Sequence, residues 1–303
     1  QIKINGDMAL IAMINKFDKI TCSDFDNIKI ENKLLKKAYE DLPIDLKNAM
    51  KLASSRIKSF HEKQKITGFD YDDELGVNLG LKYSPIERVG FYTPGGKALY
   101  PSSVLMNVVP ALVAGVDERV LVSPINVEKS SEILLAAAYL AEVTEFYRMG
   151  GAQAIAALAL GTQKLKKVDK IVGPGNSYVA AAKKEVFGEI GIEGMTAGPS
   201  EITIVCDRFS NPEWVASDLI GQAEHDSLAQ CILISKDKNL LNQVKSEIYK
   251  QLKEIPRASI ARKSLFDNGV LLYINSDKKI IDVVNKIAPE HLELNVKNYS
   301  SLV

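Results

Sequence analysis

Cysteine and histidine are both scarce, with three of each in 303 residues. Cys22, Cys206 and Cys231 are too few, and odd in number, for a disulfide framework, so a reducing cytoplasm fits the chain best. Net charge is also missing, because Lys plus Arg and Asp plus Glu both number 38. Without a basic block or stripe, the chain has no footprint for nucleic acid and nothing to hold an anionic membrane surface. Aromatic residues make up only 7%, and neither they nor the single Trp214 form a base-stacking pattern. No apolar run reaches the ~18 residues of a membrane span. The opening QIKINGDMAL lacks a signal-peptide pattern, and its start on Gln1 rather than Met suggests a processed or trimmed chain. Neutrality near pH 7 leaves little repulsion against self-association, which favours an oligomer.

What is present reads as an ordinary globular α/β protein of about two domains. Leu46, Ala49, Met50, Ala53, Ile57 and Phe60 share one helical face, with Pro43 at the expected start. Two strand-like stretches, 77–83 and 87–92, follow. From Tyr92 onward strands and helices alternate: strands at 119–122, 145–149 and 170–172, helices at 133–141, 152–160 and 177–186. That alternation predicts a parallel sheet with crossover helices. Residues 104–114 are apolar nearly all round and predict a buried helix despite Pro110. A second α/β set has strands at 202–206, 230–235 and 270–274 and helices at 212–223, 239–252 and 278–287. The Gly- and Pro-rich stretch 194–200 reads as the seam between the two sets.

There are four glycine clusters, three of them at or near strand-to-helix turns: Pro94-Gly95-Gly96, Gly150-Gly151-Ala152-Gln153, Gly173-Pro174-Gly175-Asn176 and Ala197-Gly198-Pro199-Ser200. Free backbone N–H groups and the helix dipole at such turns suit an anion, although each cluster alone also fits a tight turn. The dinucleotide fingerprint G-x-G-x-x-G is absent; Tyr178 stands where Gly173-x-Gly175 would need its third glycine. Gln222 and His225 lie three apart near a helix end and face one way, as two metal ligands would or as a helix terminus with a favourable histidine would. Gln is an unusual zinc ligand. Pro289-Glu290-His291 reads as a loop whose carboxylate and imidazole suit proton transfer. His61 sits among lysines on a solvated helix and reads as inert, while Cys206 and Cys231 sit in apolar strands as small buried hydrophobes.

Taken together, these segments resemble the histidinol dehydrogenase family. The matching runs are Val89-Gly90-Phe91-Tyr92-Thr93-Pro94-Gly95-Gly96, the block GGAQAIAALALG from Gly150, Val168-Asp169-Lys170-Ile171-Val172-Gly173-Pro174-Gly175-Asn176, Ala197-Gly198-Pro199-Ser200-Glu201, Ser217-Asp218-Leu219-Ile220-Gly221-Gln222-Ala223-Glu224-His225, and Ala288-Pro289-Glu290-His291-Leu292. They stand in family order along nearly the whole chain. The resemblance implies oxidation of L-histidinol to L-histidinaldehyde and on to L-histidine, with two NAD+ in succession and zinc assistance, the last steps of histidine biosynthesis.

By position it implies that Tyr92, Gln153 and Asn176 contact NAD and that Ser200 contacts substrate. It further implies that Gln222 and His225 ligate zinc beside the substrate and that Glu290 and His291 are the acid–base pair, also against substrate. The implied fold is two incomplete Rossmann-like domains with parallel sheets, one inserted in the other, plus N-terminal helices. The insert would be 93–200 and the outer domain 1–92 with 201–303, in an intertwined homodimer. The resemblance also implies an Asp and a His zinc ligand and a substrate-contacting Glu beyond Val303, the His coming from the partner subunit. A polypeptide of these residues alone is therefore expected to bind zinc weakly and turn over little. Three other readings remain open: a paralogue acting on another small polar alcohol, a non-catalytic relative that keeps the fold, and a cysteine-dependent aldehyde dehydrogenase.

Overall fold

The computed structural model describes residues 1–95, 100–125, 132–194 and 200–302. Gly96 and the run 197–199, parts of two glycine clusters, lie outside them. The N-terminal segment is largely helical: α1 (Ile2–Met13), a π-helical turn at Ile14–Asp18, α2 (Asn32–Glu40) and α3 (Ile44–Glu62), with the short strand β1 (Lys29–Ile30) between. The ribbon β2 (Phe69–Asp72) and β3 (Asn78–Leu81) follows. The alternating region then builds β4 (Arg88–Tyr92), α4 (Pro101–Ala114), β5 (Glu118–Val122), α5 (Glu132–Leu140), β6 (Glu145–Tyr147), α6 (Gly151–Leu160), β7 (Lys170–Val172), α7 (Ser177–Glu185) and β8 (Gly191–Ile192). These strands form a six-stranded sheet in the order β1-β6-β5-β4-β7-β8, parallel except for the antiparallel edge β1.

Burial explains why these runs are strands. Leu121 and Phe91 point into one core with α4 and α5, while Val120, Val122 and Tyr92 point into the other with α1 and α6. Both faces are covered, so the strands read as continuous apolar runs. At the N-terminal edge of the sheet the buried Arg88 guanidinium reaches carboxylates from two neighbouring strands, Glu118 and Glu145.

The second set comprises β9 (Glu201–Cys206), α8 (Pro212–Ala223), β10 (Gln230–Ser235), α9 (Lys238–Gln251), α10 (Ala258–Asp267), β11 (Val270–Tyr273), α11 (Asp277–Ile287) and β12 (His291–Asn295). Its sheet is fully parallel, in the order β11-β10-β9-β12. Ile204 and Leu233 pack with α8 and α9, and Val205, Ile232 and Ile234 pack with α11 on the other face.

The two compact units are Gln1–Ala197 and Gly198–Val303. The boundary between them falls within the stretch 194–200, and the first unit keeps 1–92 with the residues that follow. The reason is β4, which pairs with β5 on one side and β7 on the other and so ties the preceding residues to the first sheet. Among the described residues, strands β1, β2, β8 and β12 and helix α10 were not anticipated. The expected loop at Pro289-Glu290-His291 instead passes into a strand at His291, because Ala288 takes a left-handed turn (φ +48°) that ends α11 and redirects the chain. Among the described residues no helix is long and apolar enough to cross a membrane.

Candidate active site

In the first sheet the chain runs outward from β4 through β5 to β6, then crosses to β7 and β8 on the other side. Strand order therefore reverses between β4 and β7, and ligands of open α/β sheets bind beyond the carboxyl ends of strands at such a point. Tyr92 ends β4, and Gly173-Pro174-Gly175-Asn176 follows β7. Gly173 is required there: its φ is +105°, and a Cβ would stand 2.2 Å from the Tyr92 carbonyl oxygen. Asn176 caps α7, its Oδ1 accepting from the Tyr178 and Val179 N–H groups at 3.1 Å each. The buried Lys183 ammonium ties this turn to the next, donating to the carbonyls of Gly173 (2.5 Å), Glu193 (2.8 Å) and Gly194 (3.2 Å).

Gln153 lies in the first turn of α6, after β6. Its Nε2 donates to Asp18 Oδ2 at 3.1 Å, and the same carboxylate oxygen accepts from Gly150 N–H at 3.0 Å. The Tyr92 hydroxyl accepts from Gly151 N–H at 3.1 Å. Tyr92 and Gln153 are thus brought together at the amino end of α6, with Asn176 on the same sheet edge. Burial pushes the Tyr92 phenol up, the Asp18 charge adds to this, and the Gly151 N–H only partly opposes it. The phenol stays protonated and keeps an O–H to donate.

The sequence reading took the N–H groups at these turns to be free. Four of them are not: Asp18 and Tyr92 accept from the Gly150 and Gly151 N–H groups at the start of α6, and Asn176 accepts from the Tyr178 and Val179 N–H groups of α7. This accords with the missing glycine fingerprint. One residue beyond the ends of β4 and β5, the hydroxyls of Thr93 and Ser123 are buried without a hydrogen-bond partner among the described residues. Orphaned buried hydroxyls are rare and mark a site built for something else; a polar nucleotide fits such an edge.

The remaining residues belong to the second sheet and gather at its other end, where the strands begin. Ser200 directly precedes β9, and Glu290 and His291 stand at the start of β12, which pairs with β9 in the register His291–Ile202. Helix α8 runs back from the far edge, so its last turn returns Gln222 and His225 to the start of β10. The Gln230 N–H donates to the Ser200 carbonyl at 3.1 Å, and the His225 N–H to the Gln222 carbonyl at 3.2 Å. The Glu201 N–H donates to Glu290 Oε2 at 3.3 Å. His291 Nε2 lies 3.9 Å from Glu290 Oε1, with both side chains more than half exposed (57% and 55%). These five residues share one sheet edge, although no hydrogen bond or ion pair among the described residues joins Gln222 or His225 to Glu290 or His291. His61 is elsewhere, on α3, with its Nδ1 2.7 Å from Gln64 Oε1.

Zinc takes four ligands in structural sites and three plus water in catalytic ones. Gln222 and His225 offer two donors, and among the described residues no cluster of three or more His, Cys, Asp or Glu can hold a metal. These residues do not by themselves make a zinc site. The cysteines fit nucleophilic chemistry no better. Burial pushes the Cys206 thiol up to about 12 and the Cys231 thiol up to about 11, and Cys22 is buried as well. Thiolates, not thiols, attack carbonyls. Iodoacetamide at neutral pH is therefore expected to label the native protein slowly at all three cysteines, as counted by mass; rapid labelling of any one of them would show an activated thiol.

The family described as Histidinol dehydrogenase matches residues 1–303. A histidinol dehydrogenase of Pelagibacter ubique is 57% identical over 302 residues, which cover 100% of this chain and 69% of that protein. The crystal structure of histidinol dehydrogenase from Elizabethkingia anophelis superposes with a TM-score of 0.92 at 38% identity, covering 99% of this chain and 69% of that one. Aldehyde dehydrogenase 21 from Physcomitrella patens has a TM-score of 0.52 at 12% identity, covering 95% and 76% of the two chains, and shares the fold alone.

Proposed function

Because the chain belongs to the histidinol dehydrogenase family, we propose that it oxidises L-histidinol to L-histidine through L-histidinaldehyde in two NAD-dependent steps. The observation that carries this reading is the exposed Glu290–His291 pair on the same sheet edge as Ser200, Gln222 and His225. Tyr92, Gln153 and Asn176 are the residues that would hold NAD, whose nicotinamide ring accepts hydride when bound.

In the first step the His291 imidazole takes the hydroxyl proton of the alcohol as the carbon loses hydride. In the second, the Glu290 carboxylate takes a proton from water while the water oxygen bonds to the aldehyde carbon. The hydrate forms as its anion, since the water proton has gone to Glu290, and loss of hydride from that anion leaves the carboxylic acid. Glu290 is suited to this, since its Oε2 is held by the Glu201 N–H at 3.3 Å. Ser200, Gln222 and His225 would orient the substrate. Gln222 and His225 would also be two donors to zinc, with the other donors supplied from outside these residues; no step above runs through the metal.

We further propose a homodimer. The β2–β3 ribbon exposes Phe69, Tyr71, Leu79 and Leu81, and an isolated two-stranded ribbon is marginal in water without a surface to cover it. Three free, buried cysteines suit a reducing cytoplasm.

The test is NADH formation by purified protein supplied with zinc, NAD and either L-histidinol or a panel of other small alcohols, sulfonated ones included. Two NADH per L-histidine are expected. Reduction with another alcohol but not L-histidinol would make the chain a paralogue; no reduction with any of them, by protein that also carries the remaining zinc ligands, would make it a non-catalytic relative.

A further inference from the structure

We propose that Asp18 is a positioning residue for the nicotinamide cofactor, orienting the Gln153 amide and closing the amino end of α6 to phosphate. The inference rests on the cofactor reading given above. Asp18 ends the π-helical turn after α1, and it reaches across 132 and 135 residues of sequence to Gly150 and Gln153. One oxygen, Oδ2, serves both the Gly150 N–H (3.0 Å) and Gln153 Nε2 (3.1 Å).

Two consequences follow from donor and acceptor chemistry. Ionised Asp only accepts, so it selects the rotamer of Gln153 in which the NH2 faces Asp18 and the carbonyl oxygen faces away, over Gly151. Gln153 is only 5% exposed, so few other partners can set that choice. Second, a carboxylate at a helix amino end takes the favourable anion position. With Tyr92 on the next N–H, a diphosphate finds two donors already used and meets a like charge, whereas ribose hydroxyls or a carboxamide find a phenol donor and an amide oxygen. Burial raises the Asp18 carboxyl, against the lowering pull of its two hydrogen bonds. The half-buried charge is held for the contacts it makes, since Asp18 has no salt-bridge partner among the described residues.

The sequence gives no local sign of this, because the contacts exist only once α1 packs along α6.

The test compares Asp18→Asn, Asp18→Glu, Gln153→Ala and Tyr92→Phe by fluorescence titration with NADH and by thermal unfolding. Asn can donate as well as accept, so it permits the flipped Gln153 amide. A Gln153 amide free to flip loses its fixed presentation to the cofactor, which should weaken NADH binding about tenfold, and Asp18→Glu should recover most of it. In turnover assays the KM for NAD should rise while kcat stays within about twofold, a split that a merely structural role would not produce. Wild-type affinity in a folded Asp18→Asn protein, alongside weakened Gln153→Ala and Tyr92→Phe, would overturn the role of Asp18. Wild-type affinity in all three, Asp18→Asn, Gln153→Ala and Tyr92→Phe, would instead overturn the placing of the cofactor at this edge.

Discussion

A His291→Asn protein is expected to oxidise L-histidinol roughly a hundred- to ten-thousand-fold more slowly, the usual contribution of a positioned acid–base group. Glu290→Gln should lose a comparable factor, but in the second oxidation. The two variants separate the steps. With His291→Asn both alcohol oxidation and total NADH fall. With Glu290→Gln the first NADH still forms, and aldehyde accumulates or escapes because water is no longer activated. Gln is the informative replacement, since its amide oxygen can still accept the Glu201 N–H that holds Glu290 Oε2 at 3.3 Å, so geometry is kept while basicity is lost. Substrate KM should move little in either variant, because the lost interaction is made in the transition state. Stopped-flow NADH formation with L-histidinol and with L-histidinaldehyde measures each step; equal rates for Glu290→Gln and the parent on the aldehyde would end the assignment of Glu290 as base.

The largest stability effect is expected at the opposite edge of the first sheet. Arg88→Ala should destabilise the first unit by about 1.5–3 kcal/mol, the usual worth of hydrogen bonds to charged groups, since the Glu118 and Glu145 side chains left behind are 40% and 25% exposed and partly solvated. The Arg88 side chain is buried, and its Nη1 and Nη2 donate to the two carboxylate oxygens of Glu145 at 2.8 and 3.2 Å. Nη1 also meets Glu118, and the Tyr147 hydroxyl donates to the same Glu145. Burial works to raise the Glu145 carboxyl, but the hydrogen bonds from Arg88 and Tyr147 prevail and hold it below the usual range.

A carboxyl with a depressed folded pKa adds stability above its unfolded pKa of about 4.3, lost as pH falls through the folded value. Without Arg88 burial prevails, so Glu145 takes up its proton more readily and the variant loses less on acidification. The gap between parent and variant should therefore be largest near pH 7 and shrink below about pH 4. Urea unfolding of the first unit's transition at both pH values tests this; an unchanged midpoint at pH 7 would show the ion cluster contributes nothing net.

Where the apolar pattern is strong and local, the elements were legible. The helix at 212–223 and the strand at 230–235 run as expected, because Pro212 starts the one and both bury side chains against a two-faced sheet. The buried helix around Pro110 formed as well, since that proline does not interrupt a face packed on β4 and β5. The strand β12 was hidden because it is an edge: Leu292 is 47% exposed, and its pairing with β9 depends on a partner about ninety positions away. The two-residue strands β1 and β8 carry no periodicity at all.

The candidate site divides along the same line. Gly173, Asn176, Gln222, His225, Glu290 and His291 are legible as residue types in suggestive spacing, and their order along the chain carries the family. Side-chain chemistry, helix and strand periodicity and family membership are local or linear properties, which is why the amino-acid order alone settles them. Only the folded chain decided that Asp18 rather than an incoming phosphate occupies the start of α6, that Arg88 closes the far edge, and that β4 belongs with the residues after it. Those outcomes depend on burial and on contacts spanning up to 135 residues, and no window of sequence contains both partners.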